Sequence, residues 1–469
     1  MQIKQEFVMR KLIGTKDFYK MALMIALPLM IQNGITSFVN LLDNLMVGQV
    51  GTEAMTGVSI VNQLMFVFQI TVFGGVSGAG IFTAQYYGKG DQNGIRYTFR
   101  FKVLVVAVLS CLAALLLTAK GNDLIELFLH EDNVGNIDLC REQAQAYLKI
   151  IVLTVFPFVL TQAYSDTLRN CGQTLAPMIA GVVAICVNVT FNYLLIFGKF
   201  GFPELGVRGA AIATLMARIT ECTILIVWTR RRAARYPFIL GAWSSMKIPG
   251  ALVRQIAVKG LPLLMNETLW SSGMAIMAQC YSTRGLSAVA AYQICMTVWE
   301  LFTIVAFALG NSVGIIVGQK LGAGELDKAK DEAWQLIFFA VAVAAGCSAV
   351  LAACSSLFPQ LYNTTQEVRE LAAQMLVVMA IFLPFITFTH ASYFTLRCGG
   401  KTLITLLFDS VFTWIVAIPL SWILSRYTAL PMLPLYFCCQ LPEILKCVMG
   451  FSFVKSGKWI QNLTLADMQ

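Results

Sequence analysis

A chain of 469 residues that is 58% hydrophobic and only 13% charged carries about half the charge of an ordinary soluble domain. Its mean hydropathy of +0.71 excludes a water-soluble enzyme or a disordered tail and places the protein in a bilayer. The net charge of +9 has a membrane explanation, given below, and calls for no nucleic-acid partner.

In chain order, apolar runs long enough to cross a membrane fall at about 18–46, 55–84, 99–118, 143–168, 175–197, 207–229, 256–281, 286–317, 333–353, 370–395, 403–424 and 433–454. The first follows Lys4, Arg10, Lys11 and Lys16, as a signal peptide would. It continues through Gln32 and Asn33 with no small-residue cleavage site, so it reads as the first of twelve transmembrane helices. With both termini cytoplasmic, the inward-facing segments hold twenty-five of the 34 lysines and arginines, Lys102, Arg169 and Lys446 among them, and Arg284 falls outside, the bias expected of a multi-pass plasma (inner) membrane protein. The thirteen cysteines, with no metal-type CxxC pair, read as small core residues.

The chain is a duplication. Displaced by 234 residues, ALPLMIQN (26–33) falls on GLPLLMNE (260–267) and AQYYGKGD (84–91) on GQKLGAGE (318–325), with Pro28/Pro262, Gly51/Gly285, Gly88/Gly322 and Gly90/Gly324 in register. TLRNCGQT (167–174) likewise pairs with TLRCGGKT (395–402). The expected fold is therefore all-α and integral to the membrane, with two pseudo-symmetric six-helix lobes around a central cleft. The lobes span 1–234 and 235–469, and a basic cytoplasmic linker covers 230–255. Six helices per repeat give both lobes the same topology, as in several carriers.

Against this apolar background a few polar residues stand out. FVNLLDNLMVG (38–48) places Asp43 inside helix 1, where a carboxylate costs several kcal/mol. Asn188 and Asn192 lie one turn apart on helix 5 and share a face, and Thr214 follows small residues on helix 6. One carboxylate, two amides and a hydroxyl supply oxygens for a hard cation, or a partly desolvated acid for a proton. The plainer reading of each asparagine is an interhelical hydrogen bond. Glu267 and Glu300 lie in helices 7 and 8 but align with Asn33 and Phe66, so the acids are not duplicated with the fold. Either glutamate could instead serve a structural hydrogen bond. Arg218/Glu221 and Glu443/Lys446, three residues apart, read as structural ion pairs. Asp409 and His390 stay ambiguous. Phe38, Met65, Phe66, Trp270, Trp299 and Tyr292 would line a cavity for greasy cations or simply pack.

No HExxH, GxSxG or Walker-type motif is present, so the chain does not read as an enzyme and uphill transport would draw on an ion gradient.

LDNLMVG (42–48), FNYLLIFGKFGFPELGVRGAAIAT (191–214), VGQKLGAGELDKAK (317–330) and TLRCGGKT resemble motifs of the multidrug and toxic compound extrusion (MATE) family, and the likeness covers nearly the whole chain. The resemblance implies secondary active efflux of amphipathic, often cationic drug-like compounds by antiport with Na+ or H+. It implies no cofactor, and no metal beyond a sodium ion at Asp43. By position, Asp43, Asn188, Asn192 and Thr214 match the family's first-lobe polar cluster. Some members pair the helix 7 glutamate, here Glu267, with an acid on helix 10, but no acid lies between Leu371 and Leu396. Pro28 would give helix 1 a hinge. The expected partners are small-molecule substrates and lipids, with the protein a monomer. The alternative is a flippase for a lipid-linked saccharide of the same superfamily; a membrane enzyme or a passive channel are more distant rivals.

Overall fold

The computed structural model describes residues 13–129, 136–362 and 364–468; Lys4, Arg10 and Lys11 of the positive-charge count lie outside the described residues. No strand occurs among these residues. Twelve long helices follow in order: α1 Lys16–Gly48, α2 Thr52–Lys89, α3 Gln92–Glu126, α4 Ile137–Asn170, α5 Leu175–Phe197, α6 Val207–Arg231, α7 Gly250–Ser282, α8 Leu286–Gly322, α9 Leu326–Cys354, α10 Gln366–Cys398, α11 Thr402–Tyr427 and α12 Met432–Lys455. Eleven are long and apolar enough to cross a membrane. The exception is α7, whose 33 residues have the length but carry the polar stretch NETLWSSG at their centre.

By compactness the chain falls into two units. One comprises Ile31–Thr83 and Asp91–Arg254; the other comprises Met1–Met30, Ala84–Gly90 and Gln255–Gln469. Helix α1 contributes to both, and the division at Met30 falls two residues beyond Pro28. In the first unit α5 packs along α6, and α4 on α3 and α6; in the second, α10 is flanked by α8, α9 and α12. Its core gathers Tyr281, Ala291, Cys295, Met375, Leu376 and Leu435, all nearly inaccessible to solvent.

The glycines that repeat do so for a geometric reason. Gly90 and Gly324 turn the chain at φ 78° and 79°, and Gly172 and Gly400 both at 76°, in the left-handed region that other residues enter at a cost. Gly88 and Gly322 serve close approach. A methyl group on Gly88 would stand 1.8 Å from the Gln319 carbonyl oxygen, and one on Gly322 1.9 Å from that of Gln85. Since Gln85 and Gln319 are themselves repeat partners, the ends of α2 and α8 meet reciprocally, backbone on backbone. The Gln85 side chain then ties down the C-terminal segment, donating to the carbonyls of Cys398 (3.0 Å) and Gln461 (3.2 Å) and accepting from the Leu463 amide at 2.7 Å.

Two breaks in the helices trace to proline. Pro419 cannot continue the hydrogen-bond ladder, and α11 is π-helical just before it, over Leu407–Val411 and Thr413–Ala417. Pro442 divides α12 after Gln440. Arg284, counted in the sequence only as an outward charge, is a structural clamp: its guanidinium donates to the carbonyls of Leu424, Ser425, Thr428 and Leu430 at 2.7 to 3.1 Å, satisfying the C-terminal end of α11.

Two predictions follow from this packing. Gly88→Ala and Gly322→Ala should each lower the thermal midpoint of the detergent-purified protein by an amount equivalent to about 1–3 kcal/mol, the usual cost of overpacking. Gly346→Ala, where an added methyl would meet nothing within 4 Å, should be neutral or stabilising in the same melt. Arg284→Gln strands several part-buried carbonyls and should cost about 1–2 kcal/mol in the same measurement.

Candidate functional site

Three helices of the first unit converge on Asp43. It lies near the end of α1 and is half-buried, while Asn188 and Asn192 of α5 are 5% and 1% exposed. Asn192 donates through Nδ2 to Asp43 Oδ1 at 2.6 Å and to Asn188 Oδ1 at 3.2 Å. Asn188 Nδ2 donates to Thr214 Oγ1 of α6 at 3.3 Å, and Thr214 in turn donates to the Ala210 carbonyl. The four first-lobe residues singled out in the sequence therefore form one hydrogen-bonded set.

Two features set this network apart from a fully satisfied interhelical hydrogen bond. The carbonyl oxygen of Asn192 is buried with no donor among the described residues, and a stranded acceptor of this kind costs about 1–3 kcal/mol. The Asn188 amide is better satisfied beside the carboxylate when turned over. Turned over, its nitrogen would donate to Asp43 Oδ1 and Oδ2 at 2.9 and 3.1 Å. A lone carboxylate among neutral oxygens suits a monovalent cation or a proton better than a divalent metal; no group of three or more His, Cys, Asp or Glu side chains able to hold a metal occurs among the described residues.

The other interior charges of this unit are partnered. Arg218 lies within electrostatic reach of Asp43 but pairs with the buried Glu221 at 3.2 Å, as the three-residue spacing implied. Lys102, read from sequence as a loop charge, is fully buried. Its ammonium meets Asp166 Oδ2 at 2.6 Å and donates to Thr83 and Thr167 at 2.9 and 3.2 Å. Arg169, likewise read as a loop charge, donates to Gln32 of α1 at 2.9 Å. Asp43 forms no ion pair among the described residues. The sequence reading missed Asp166, because the apolar run beginning near 99 leaves Lys102 at its edge, whereas the helix itself begins at Gln92.

In the second unit the polar focus is not where the glutamates pointed. Glu267 is half-buried and Glu300 exposed, and neither makes a side-chain hydrogen bond or ion pair among the described residues. The helix 7 contact belongs to the adjacent Asn266, which is 2% exposed. It donates to Asp409 Oδ2 at 3.1 Å and accepts from Ser410 at 2.7 Å. Asp409 Oδ1 meets the buried Lys446 at 3.2 Å, and Lys446 meets Glu443 at 3.3 Å. The expected Glu443/Lys446 pair is thus one edge of a triad, delivered by the π-helical turn that carries Asp409. His390 stacks on Phe307 with ring centroids 4.6 Å apart. Of the suggested lining residues, Met65 and Tyr292 are core, while Phe38 and Phe66 are exposed.

Known proteins share this arrangement of helices. A probable multidrug resistance protein NorM of Thermotoga maritima is 26% identical over 460 residues, covering 96% of this chain and 95% of its own. A probable multidrug resistance protein YoeA of Bacillus subtilis is 25% identical over 443 residues, 92% of each. Among solved structures, a MATE transporter of Vibrio cholerae superposes with a TM-score of 0.82 at 16% identity, covering 95% of this chain and 98% of the other. An outward-facing multidrug resistance MATE transporter superposes at 0.81 and 16%, covering 95% and 97%. At those identities the structures establish the shared fold. A MatE family model matches residues 28–194 and 262–423, on both sides of the repeat boundary, and the chain belongs to the MatE family.

Proposed function

We propose that this protein is a secondary active multidrug efflux transporter that exports amphipathic, cationic organic compounds in exchange for Na+ or H+, with Asp43 as the coupling carboxylate. The observation that carries this reading is the set around Asp43: an acid in a membrane span with no ion-pair partner among the described residues, hydrogen-bonded to Asn192, whose own carbonyl oxygen is buried without a donor among them. With a proton or sodium ion on Asp43, the oxygens of Asn188 and Asn192 have something to solvate. Without one, the turned Asn188 amide and Asn192 donate to the bare carboxylate. The two occupancies therefore call for different hydrogen bonds, which is what an exchanger requires of its ion site. Pro28 is the point at which α1 can bend between them. The repeats 1–234 and 235–469 act as the two moving bodies, both termini lie in the cytoplasm, and the protein works as a monomer in the plasma membrane. The names of the curated relatives support the efflux part of this reading.

A saccharide flippase would need free interior cations to meet a pyrophosphate. Here Lys102, Arg218 and Lys446 are each neutralised by an acid of the protein, and Arg169 alone of those described above is met by a neutral side chain, Gln32; a mostly neutralised interior favours a cationic cargo.

Dye efflux from energised everted vesicles, with sodium and pH gradients imposed separately, tests the proposal. Asp43→Asn should abolish ion-driven efflux while leaving expression and the size-exclusion profile unchanged; normal efflux would remove Asp43 from the mechanism. Asn192→Ala should weaken the ion dependence more than it weakens substrate binding. Lys446→Met alone leaves two half-buried carboxylates uncompensated and should destabilise the protein by about 3 kcal/mol, the low end for breaking a buried pair. Adding Asp409→Asn should recover part of that stability. Recovery of efflux together with stability would mark the triad as structural, whereas a stable but inactive double variant would give it a share in coupling.

A further inference from the structure

The segment joining the repeats is not a loose tether. Past the end of α6 it folds back on α3, held by two arginines. Arg96 Nε donates to the Phe238 carbonyl at 3.2 Å, and Arg100 donates to those of Gly241, Ala242 and Lys247 at 2.7, 2.9 and 3.0 Å. Phe238 is buried against Phe99 with centroids 5.7 Å apart, and the Trp243 indole donates to the Tyr164 hydroxyl at 3.3 Å. Setting membrane topology requires only positive charge near a helix end. It does not require a folded segment.

The fold brings two kinds of side chain to one surface. Leu240, Trp243 and Met246 are 56%, 42% and 39% exposed. Beside them stand exposed Arg230, Arg231, Arg232, Arg235 and Lys247. Arg232 lies over the Trp228 ring at 4.7 Å, whereas the guanidiniums of Arg230 and Arg231 make no hydrogen bond or ion pair among the described residues. The sequence has no acid between Glu221 and Glu267, so the patch has no counter-ion of its own in this stretch. Arg230, Ile239, Leu240, Trp243 and Ser244 border an open cavity of about 410 Å³, large enough for a small polar headgroup.

We propose that this folded linker docks anionic phospholipid headgroups of the cytoplasmic leaflet. The phosphate sits on the free guanidiniums, which match it geometrically. Leu240, Trp243 and Met246 enter the boundary between headgroups and acyl chains, where aromatic and aliphatic side chains settle. An anionic surface draws in such a cluster, but only at short range. The inference rests on the orientation given by the lysine and arginine distribution and is independent of ion coupling at Asp43.

The test uses the full-length protein in phosphatidylcholine nanodiscs doped with trace spin-labelled phosphatidylglycerol or spin-labelled phosphatidylcholine, and reads the motionally restricted fraction of each. Wild type should favour phosphatidylglycerol at least about fivefold, the factor that one such cation contributes near an anionic surface. The triple variant Arg230→Gln, Arg231→Gln, Arg232→Gln should bring the ratio close to one. A control triple at other exposed cations, Lys328→Gln, Lys330→Gln and Lys458→Gln, should keep the preference. If the first triple fails to fold, Arg231→Gln alone should lower the ratio measurably. No preference in wild type, an equal loss in the control, or an unchanged ratio in Arg231→Gln would each overturn the proposal. So would displacement of the labelled lipid by low-millimolar inorganic phosphate, which would make the patch a site for a soluble anion.

Discussion

A carboxylate inside a helical bundle that spans hydrocarbon must be solvated by the protein itself. The half-buried position of Asp43 within a membrane helix therefore dictates what surrounds it. Water is scarce there, and the cost of a bare charge is several kcal/mol, so α5 and α6 must bring polar groups to α1. They do so with groups that carry no net charge: two amides one turn apart and a hydroxyl set among alanines and glycine. Solvation by dipoles leaves the carboxylate able to accept a proton or cation. Solvation by a lysine would not, as Lys102 and Asp166 illustrate a few helices away, joined at 2.6 Å.

The same reasoning separates the two repeats. Duplication preserved what the backbone needs: the turn glycines with matching φ, the reciprocal crossing of Gly88 and Gly322, and Pro28 and Pro262 within their helices. It did not preserve the charges. Asp43 faces a methionine, Met277, in the alignment, while the second half builds its own closed triad on α11 and α12. Every atom of Asp409 that could hold an ion is already engaged, by Asn266 or by Lys446. That set reads as the scaffold of its half, and the proposed ion site belongs to the other.

Much of this was legible in the sequence because the signals were of the right kind. Apolar runs mark membrane helices, and repeated glycines and prolines mark a repeated backbone. Asn188 and Asn192 share a face by simple periodicity. What escaped were pairings whose partners lie far apart along the chain. Lys102 and Lys446 were assigned to cytoplasmic segments because such counting goes by residue type and position, not by depth; both are buried. Asp409 could not be placed, because the π-helical stretch before Pro419 changes which face it presents. Asn266 was overlooked because its neighbour Glu267 is charged, yet the uncharged residue is the one turned inward.

The central claim is that substrate and coupling ion compete through the Asp43 set. The direct measurement is ion release on substrate binding by the purified protein, with bound radioactive sodium followed in one experiment and proton release into weakly buffered solution in another. An amphipathic cationic dye should displace one of the two ions from wild type and displace neither from Asp43→Asn. Displacement that persists unchanged in Asp43→Asn, or dye binding to wild type that releases neither ion, would contradict the account.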